Sequence, residues 1–338
     1  MEIDWGKVRE CVEQGYISSQ RHQTEPLTIY NYTAKTAYDW YWTPETMACR
    51  GLIVADSGEV IARPFPKFFS VEQLNGQIPC EPFEVYDKLD GSLGVLYPTA
   101  DGPQIATRGS FVSEQAKWAT AHLRSKYPLA VFDKSLTYLF EIIYRGNRIV
   151  IDYGDFEDLV LLAIIDTATG RDLPLQNIGL PVVERYDGIQ DFNELKKRES
   201  AYKEGFVVRF IESGQRVKLK FEEYKRLHKL LTGVNARYVW EALQTAEGLQ
   251  PILERVPDEF YQWVRDIESV LRSKYVEVEE RCKVDFKDCG DRKTTALYFQ
   301  TCKYPAVLFK MLDGKDYAPL IWKLIKPDGA TTFKVDEL

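Results

Sequence analysis

Between residues 27 and 112 the chain alternates short β-prone bursts, LTIYNY, GLIVAD, EVIARPF, FEVYDKL, SLGVLYP and QIATRGSF, with Gly, Pro, Asn and Asp. Bursts of that length closed by turn residues predict antiparallel sheet with tight connections. The pattern changes in SEQAKWATAHLRSKY (113–127), where helical spacing brings Trp118, Ala121 and Leu123 near one face and Ser113 is placed to cap the first turn. Strand patterns return at 136–144, 148–154, 159–166, 205–210 and 216–221, and the charged segment 190–203 predicts a helix. From EEYKRLHKLL onward the spacing is helical almost to the end, through ARYVWEALQ, PDEFYQWVRDIESVLRSKYVEVEERCK and YPAVLFKML. The expected fold is α+β: antiparallel sheets with flanking helices over 1–225, then a smaller all-α domain over 226–338.

Composition narrows the function more than the fold. With 338 residues, 45% of them hydrophobic, each domain can bury a core of its own. The longest apolar run, LVLLAII (159–165), is far too short to span a bilayer, and MEIDWGKVRE has no apolar stretch of the secretory kind, so a cytoplasmic location with no membrane partner is expected. Six cysteines without a C-x-x-C pair suggest neither a zinc cage nor a disulfide framework. A net charge of -7 argues against coating nucleic acid by bulk positive charge and directs attention to local basic patches. Three histidines leave little for a His-based triad.

Several polar residues interrupt strands where propensity would not put them: Arg50, Lys88, Glu141, Glu204 and the pair Lys218 and Lys220. Lys88 stands in YDKLDGSLGVLY, between two aspartates and ahead of Gly91. A lysine becomes a useful nucleophile near neutral pH only if its environment lowers its pKa; the alternative reading of KLDG is a hairpin turn with solvated charges. In RVKLKF, alternation sets Arg216, Lys218 and Lys220 on one face and Val217, Leu219 and Phe221 on the other. A polyanion such as a triphosphate would relieve the crowded positive charge; a lysine-protected sheet edge is the competing explanation. Glu141 in LFEII and Glu204 in YKEGF must be paired, protonated or metal-bound, with Arg145, Lys203 and Arg209 as candidate partners.

Taken in order, CRGLIV, KLDGSLG, FEIIY, EGFVVRF and VKLKF resemble the motif series of the covalent nucleotidyltransferase superfamily, which includes polynucleotide ligases and mRNA capping enzymes. KLDGSL, RPFPKFF, TRGS and VKLKFEEYKRLH with its trailing helix most resemble the T-even phage RNA ligase 1 family, over roughly residues 28–240. The resemblance implies an ATP-dependent RNA ligase with an ATP-grasp-like catalytic domain. In it Lys88 attacks the α-phosphate of ATP, and the adenylate passes to a 5′-phosphate RNA end that a 3′-hydroxyl then seals. It further implies that Arg50 holds the nucleotide, that Glu141 contacts ribose or metal, and that Glu204 supports Mg²⁺, or Mn²⁺ in its place. Lys218 and Lys220 would bind the α-phosphate and depress the pKa of Lys88. Tyr32, Lys67 and Arg108 match an aromatic and two basic positions near nucleotide or phosphates. A cleaved tRNA as substrate, RNA selection by the helical domain and a separate end-healing kinase or phosphatase follow by the same analogy. The competing classes are a capping-type guanylyltransferase or DNA ligase, disfavoured because helical rather than OB-fold periodicity follows RVKLKF, and a catalytically silent RNA-binding module.

Overall fold

The structure of the protein is a computed structural model and describes residues 3–74, 77–189, 191–200, 202–222, 224–225, 234–254, 256 and 260–327. The chain divides into two compact units, Met1–Leu231 and Thr232–Leu338. Three sheets organise the first unit. One is antiparallel in the order β1 (Ile17–Arg21), β2 (Leu27–Tyr32), β3 (Arg50–Ala55), β4 (Val60–Ala62). With strands numbered along the chain, a second runs β11 (Asp172–Leu173), β10 (Asp158–Asp166), β9 (Leu136–Ile143), β7 (Ser92–Thr99), β8 (Gly102–Thr107). The third runs β12 (Arg185–Tyr186), β6 (Phe83–Lys88), β13 (Gly205–Phe210), β14 (Arg216–Lys220), β5 (Phe69–Ser70), with only the β14–β5 pair parallel.

Alternation along β7 explains how the layers stack. Val95 and Tyr97 enter a core with Ile29, Ile53 and Ala62 of the first sheet, while Leu96 points the other way toward Ala119 and Leu123 of a helix. Helix α1 (Trp5–Glu13) covers the first sheet's other face with Val8 and Cys11, and two short helices, α2 (Ala34–Tyr38) and α3 (Pro44–Ala48), lie between β2 and β3. The helix against Leu96 is α4 (Glu114–Lys126), capped by the Ser113 side chain as expected. Its buried residues are Ala116, Ala119 and Leu123; Ala121 is exposed, because the face that meets the sheet starts one turn earlier. In the third sheet Val217, Leu219 and Phe221 join Val85, Phe206 and Val208 in one core, which leaves the lysines of RVKLKF on the opposite side.

Two expected elements differ. Residues 148–154 form no strand: Val150 and Ile151 are buried, but their amides donate to a carboxylate instead of a neighbouring strand. In 190–203 the helix is only α5 (Phe192–Lys196), capped by Asp191, and positions 190 and 201 lie outside the described residues. The helix expected to trail RVKLKF also falls mostly outside them, at 223 and 226–233.

Among the described residues the second unit is helical: α6 (Ala236–Ala242), α7 (Gln250–Leu253), α8 (Tyr261–Asp285), α9 (Arg292–Thr301), α10 (Pro305–Leu312) and α11 (Ala318–Leu324). Val278, Cys282, Phe299, Val307, Leu308 and Ile321 form its core. Basic residues of RSKY and RCK are matched by acids on the same helix, Arg272 with Glu268, Arg281 with Asp285, and Lys283 with Glu279 and Glu280. Among the described residues no helix is long and apolar enough to cross a membrane.

Candidate active site

Strand β6 ends at Lys88, and the chain then leaves the third sheet and enters the second as β7 at Ser92. KLDG is therefore a crossing between sheets and not a hairpin. Asp90 pins it. Only 3% exposed, its Oδ2 accepts from the amides of Val150 (2.8 Å) and Ile151 (2.7 Å), and its Oδ1 accepts from the Tyr224 hydroxyl at 2.8 Å. Its own N–H donates to the Tyr153 hydroxyl at 2.7 Å. A buried carboxylate so fully hydrogen-bonded avoids the cost of lost hydration and holds the backbone on both sides of it.

Gly91 has a steric reason to be glycine. A Cβ there would lie 2.6 Å from the Ile142 carbonyl oxygen and 3.1 Å from Glu141 Cγ. Its absence lets the crossing press against β9, so Glu141 is brought beside Lys88. Burial pushes the Glu141 carboxyl up to about 8; Glu204 and Asp90 add to the rise, while Lys88 and Arg50 oppose it.

Sheet register supplies the rest. Gly205 pairs laterally with Lys88 on one side and with Lys220 on the other, so Glu204, one residue earlier, arrives between two lysines. Gly205 adopts φ +147°, and a Cβ there would run into the Leu219 carbonyl. Glu204 is 3% exposed, and its carboxylate bridges Lys88 Nζ at 2.7 Å and Lys220 Nζ at 2.9 Å. Burial alone would raise the Glu204 pKa, but the two ammonium groups outweigh it and hold the carboxyl below its ordinary value. The Glu204 carboxylate thus stands between the two lysines, which the alternation of RVKLKF could not show. Lys203, Arg209 and Arg145 are engaged elsewhere, with Asp87 at 2.9 Å, Glu84 at 2.6 Å and Asp155 at 2.9 Å respectively.

Nor is RVKLKF a protected edge, since β14 lies between β13 and β5. Arg216 pairs with Asp172, so the positive face is partly neutralised by the protein itself. The cations of this face are interleaved with the aromatics of RPFPKFF: Arg216 and Arg50 lie 4.7 and 5.4 Å from the Phe65 ring, and Arg50 and Lys218 lie 5.6 and 5.8 Å from Phe68. Lys67, 5% exposed, sits 5.2 Å from the rings of Trp42 and Phe69 and 5.9 Å from Tyr32. Arg108 donates to the Tyr32 hydroxyl at 3.0 Å.

Lys88, Glu204 and Lys220 are thus in direct contact, with Glu141 beside them. Arg50 and Lys218 share Phe68, and Tyr32, Lys67 and Arg108 form a third cluster. The groups are linked by strand pairing, because Phe69 and Ser70 lie beside Val217 and Lys218. Residues the sequence did not single out are Tyr153 and Tyr224, which hold Asp90, and Phe65 and Phe68, which separate the cations. Phe65 and Phe68 carried a signal, the alternation of basic and aromatic residues in RPFPKFF; the tyrosines carried none. Among the described residues no group of three or more His, Cys, Asp or Glu side chains is placed to hold a metal ion. A divalent ion here would rely on one or two carboxylates together with phosphate oxygens.

Three mainly antiparallel sheets, with a lysine where the chain crosses between two of them and a helical unit following in the chain, define a nucleotidyltransferase-type ligase fold. An archaeal ATP-dependent RNA ligase of known structure shares it, with a TM-score of 0.50 at 15% identity over 88% of this chain and 86% of that one. Residues 48–225 match the model of the RNA ligase family, and the chain belongs to that family. The "Putative RNA ligase" of Thermovibrio ammonificans is 28% identical over 259 residues, 69% of this chain and 66% of that protein. The "Putative bifunctional polynucleotide kinase/RNA ligase" of Autographa californica nuclear polyhedrosis virus is 26% identical over 255 residues, 66% of this chain. This chain therefore spans just under two thirds of the first relative's length and 36% of the second's.

Proposed function

We propose that the protein is an ATP-dependent RNA ligase in which Lys88 carries the adenylate. The observation that carries this reading is the Lys88–Glu204–Lys220 bridge at a sheet crossing, within a chain of the RNA ligase family. In the first step the Lys88 nitrogen forms a bond to the α-phosphorus of ATP, the bond to the β-phosphate oxygen breaks, and pyrophosphate leaves. The amine must shed a proton first. Glu204 is hydrogen-bonded to it, but a carboxylate held at low pKa orients the amine and does not retain its proton, which passes to solvent. Next the 5′-phosphate of an RNA takes the AMP from Lys88, and finally a 3′-hydroxyl attacks that phosphate and AMP leaves.

Displacements at phosphorus depend on positioning and charge stabilisation, which suits a site built from lysines, arginines and carboxylates. Lys220 and Lys218 bind the α-phosphate; Arg50 and Lys67 hold nucleotide or phosphate oxygens, with Tyr32 beside the base or ribose and Arg108 on phosphate. Glu141 lies in the field of two further carboxylates, Glu204 and Asp90, and of the cations Lys88 and Arg50. Glu141 and Glu204 are the side chains that would hold Mg²⁺ or Mn²⁺, and when bound such an ion would neutralise charge on the phosphates. A relative that joins a kinase to a ligase supports a role in RNA repair, with ends prepared by a separate end-healing enzyme and broken tRNA as a candidate substrate.

The test is transfer of label. Incubation with α-labelled ATP and Mg²⁺ is expected to leave label on the protein through denaturation, and Lys88→Ala to abolish it. Equal labelling of the variant would remove Lys88 from the mechanism, and label from GTP alone would favour the capping-type alternative.

A further inference from the structure

Beyond the cation–aromatic cluster around Lys67, the aromatic rings continue to the protein surface. Trp42 packs edge-on to Tyr32 at 5.0 Å and to Phe69 at 5.4 Å, and Trp40 lies 5.3 Å from Phe69 and 6.3 Å from Trp42. The outer end of this run is exposed: Trp40 at 43% and Tyr41 at 39%. Tyr41 is stacked on Tyr16 at 4.2 Å, and Lys35 Nζ stands 4.3 Å above the Tyr16 ring.

The backbone of Trp40 is what makes its exposure informative. Helix α2 ends in a Schellman turn, the Trp40 N–H donating to the Ala37 carbonyl at 3.4 Å and the Tyr41 N–H to the Thr36 carbonyl at 2.9 Å. The position after the cap must then be left-handed, and Trp40 has φ 55°, the sole non-glycine residue with positive φ among those described. Glycine fits that position without strain, and a bulky aromatic is among the least suited side chains for it. The loop is also fixed, with the Tyr41 carbonyl accepting from the Thr46 hydroxyl at 3.1 Å. Trp40, held at this left-handed position and packed on Phe69 and Trp42, still leaves 43% of its surface open to a partner.

We propose that Trp40 and Tyr41 form a stacking platform for a single-stranded RNA end that enters the site past Arg108. The inference rests on the RNA ligase reading and deepens it by naming where the strand lies. Exposed rings interleaved with cations are the surface on which unpaired bases stack while the backbone is tracked by positive charge, here the exposed Lys35 and Arg108. Continuity decides the occupant: the run of rings begins at Phe69, which pairs with Val217 beside Lys218.

The experiment uses the full chain and a fluorescein-labelled, 5′-phosphorylated single-stranded oligoribonucleotide of mixed sequence, with binding read by anisotropy. Trp40→Asn keeps left-handed backbone accessible and removes the ring; it is expected to weaken RNA binding by about five- to a hundredfold. Trp40→Phe is expected to recover most of the loss, and lysyl-AMP formation and its KM for ATP to stay at parental values in both. Equal RNA affinity in parent and Trp40→Asn overturns the platform, as does a parent that does not bind the oligoribonucleotide. A matching rise in KM for ATP overturns it in favour of an adenine contact. The binding arm decides the platform by itself, and label transfer in the parent decides the ligase reading, so the two failures are distinguishable.

Discussion

Lys88 Nζ lies 2.7 Å from Glu204 Oε2, and the carboxylate it meets is 3% exposed and shared with Lys220. One buried anion thus serves two cations on the strands that flank β13. The arrangement keeps Lys88 ordered before any nucleotide arrives, and it makes the carboxylate part of the fold as well as of the chemistry.

Replacing that carboxylate by its neutral isostere should therefore be costly. Glu204→Gln removes the buried anion that Lys88 and Lys220 share, and removal of one partner from a buried ion pair typically costs about 3–5 kcal/mol. A urea or thermal melt of the variant is expected to show a loss of that order, together with much reduced lysyl-AMP formation. A melt unchanged from the parent would mean the bridge does not balance buried charge.

Glu141 gives a pH dependence of opposite sense to that of an ordinary paired carboxylate. Its folded value, about 8, lies above the reference of 4.5, so the folded state holds a proton that the unfolded state releases. The stability contributed is fully present below the unfolded value and is lost as pH rises through the folded one. Glu141→Gln, which cannot ionise, is expected to flatten the fall in Tm between about pH 5 and 8 and to be the more stable protein at about pH 9. Parallel Tm profiles for parent and variant would dismiss the assignment.

Gly205 separates the two lysines by a single backbone. Gly205→Ala puts a methyl group against the Leu219 carbonyl at a φ of +147°, a conformation that costs other residues about 1–3 kcal/mol. The expected outcome is a destabilisation of that size with slower lysyl-AMP formation, because β13 and β14 must part where Glu204 bridges. Full activity in the variant would show that the spacing of Lys88 and Lys220 is not critical.

The sequence by itself determined the periodic elements and the chemical inventory. Alternation in RVKLKF set the lysines opposite Val217, Leu219 and Phe221, and the order of motifs from Arg50 to Lys220 identified the family, since both depend on residues near one another in the chain or on their order along it. RIVIDYG is strand-like by composition, and nothing local announces that the amides of Val150 and Ile151 are taken by Asp90, which lies far from them in sequence. Only the tertiary structure decided that KLDG crosses between sheets, that Gly205 registers with both lysines, and that Glu204 lies between them. Sheet register and cross-sheet packing join residues remote in sequence, and no local pattern encodes which remote partner a charge will meet.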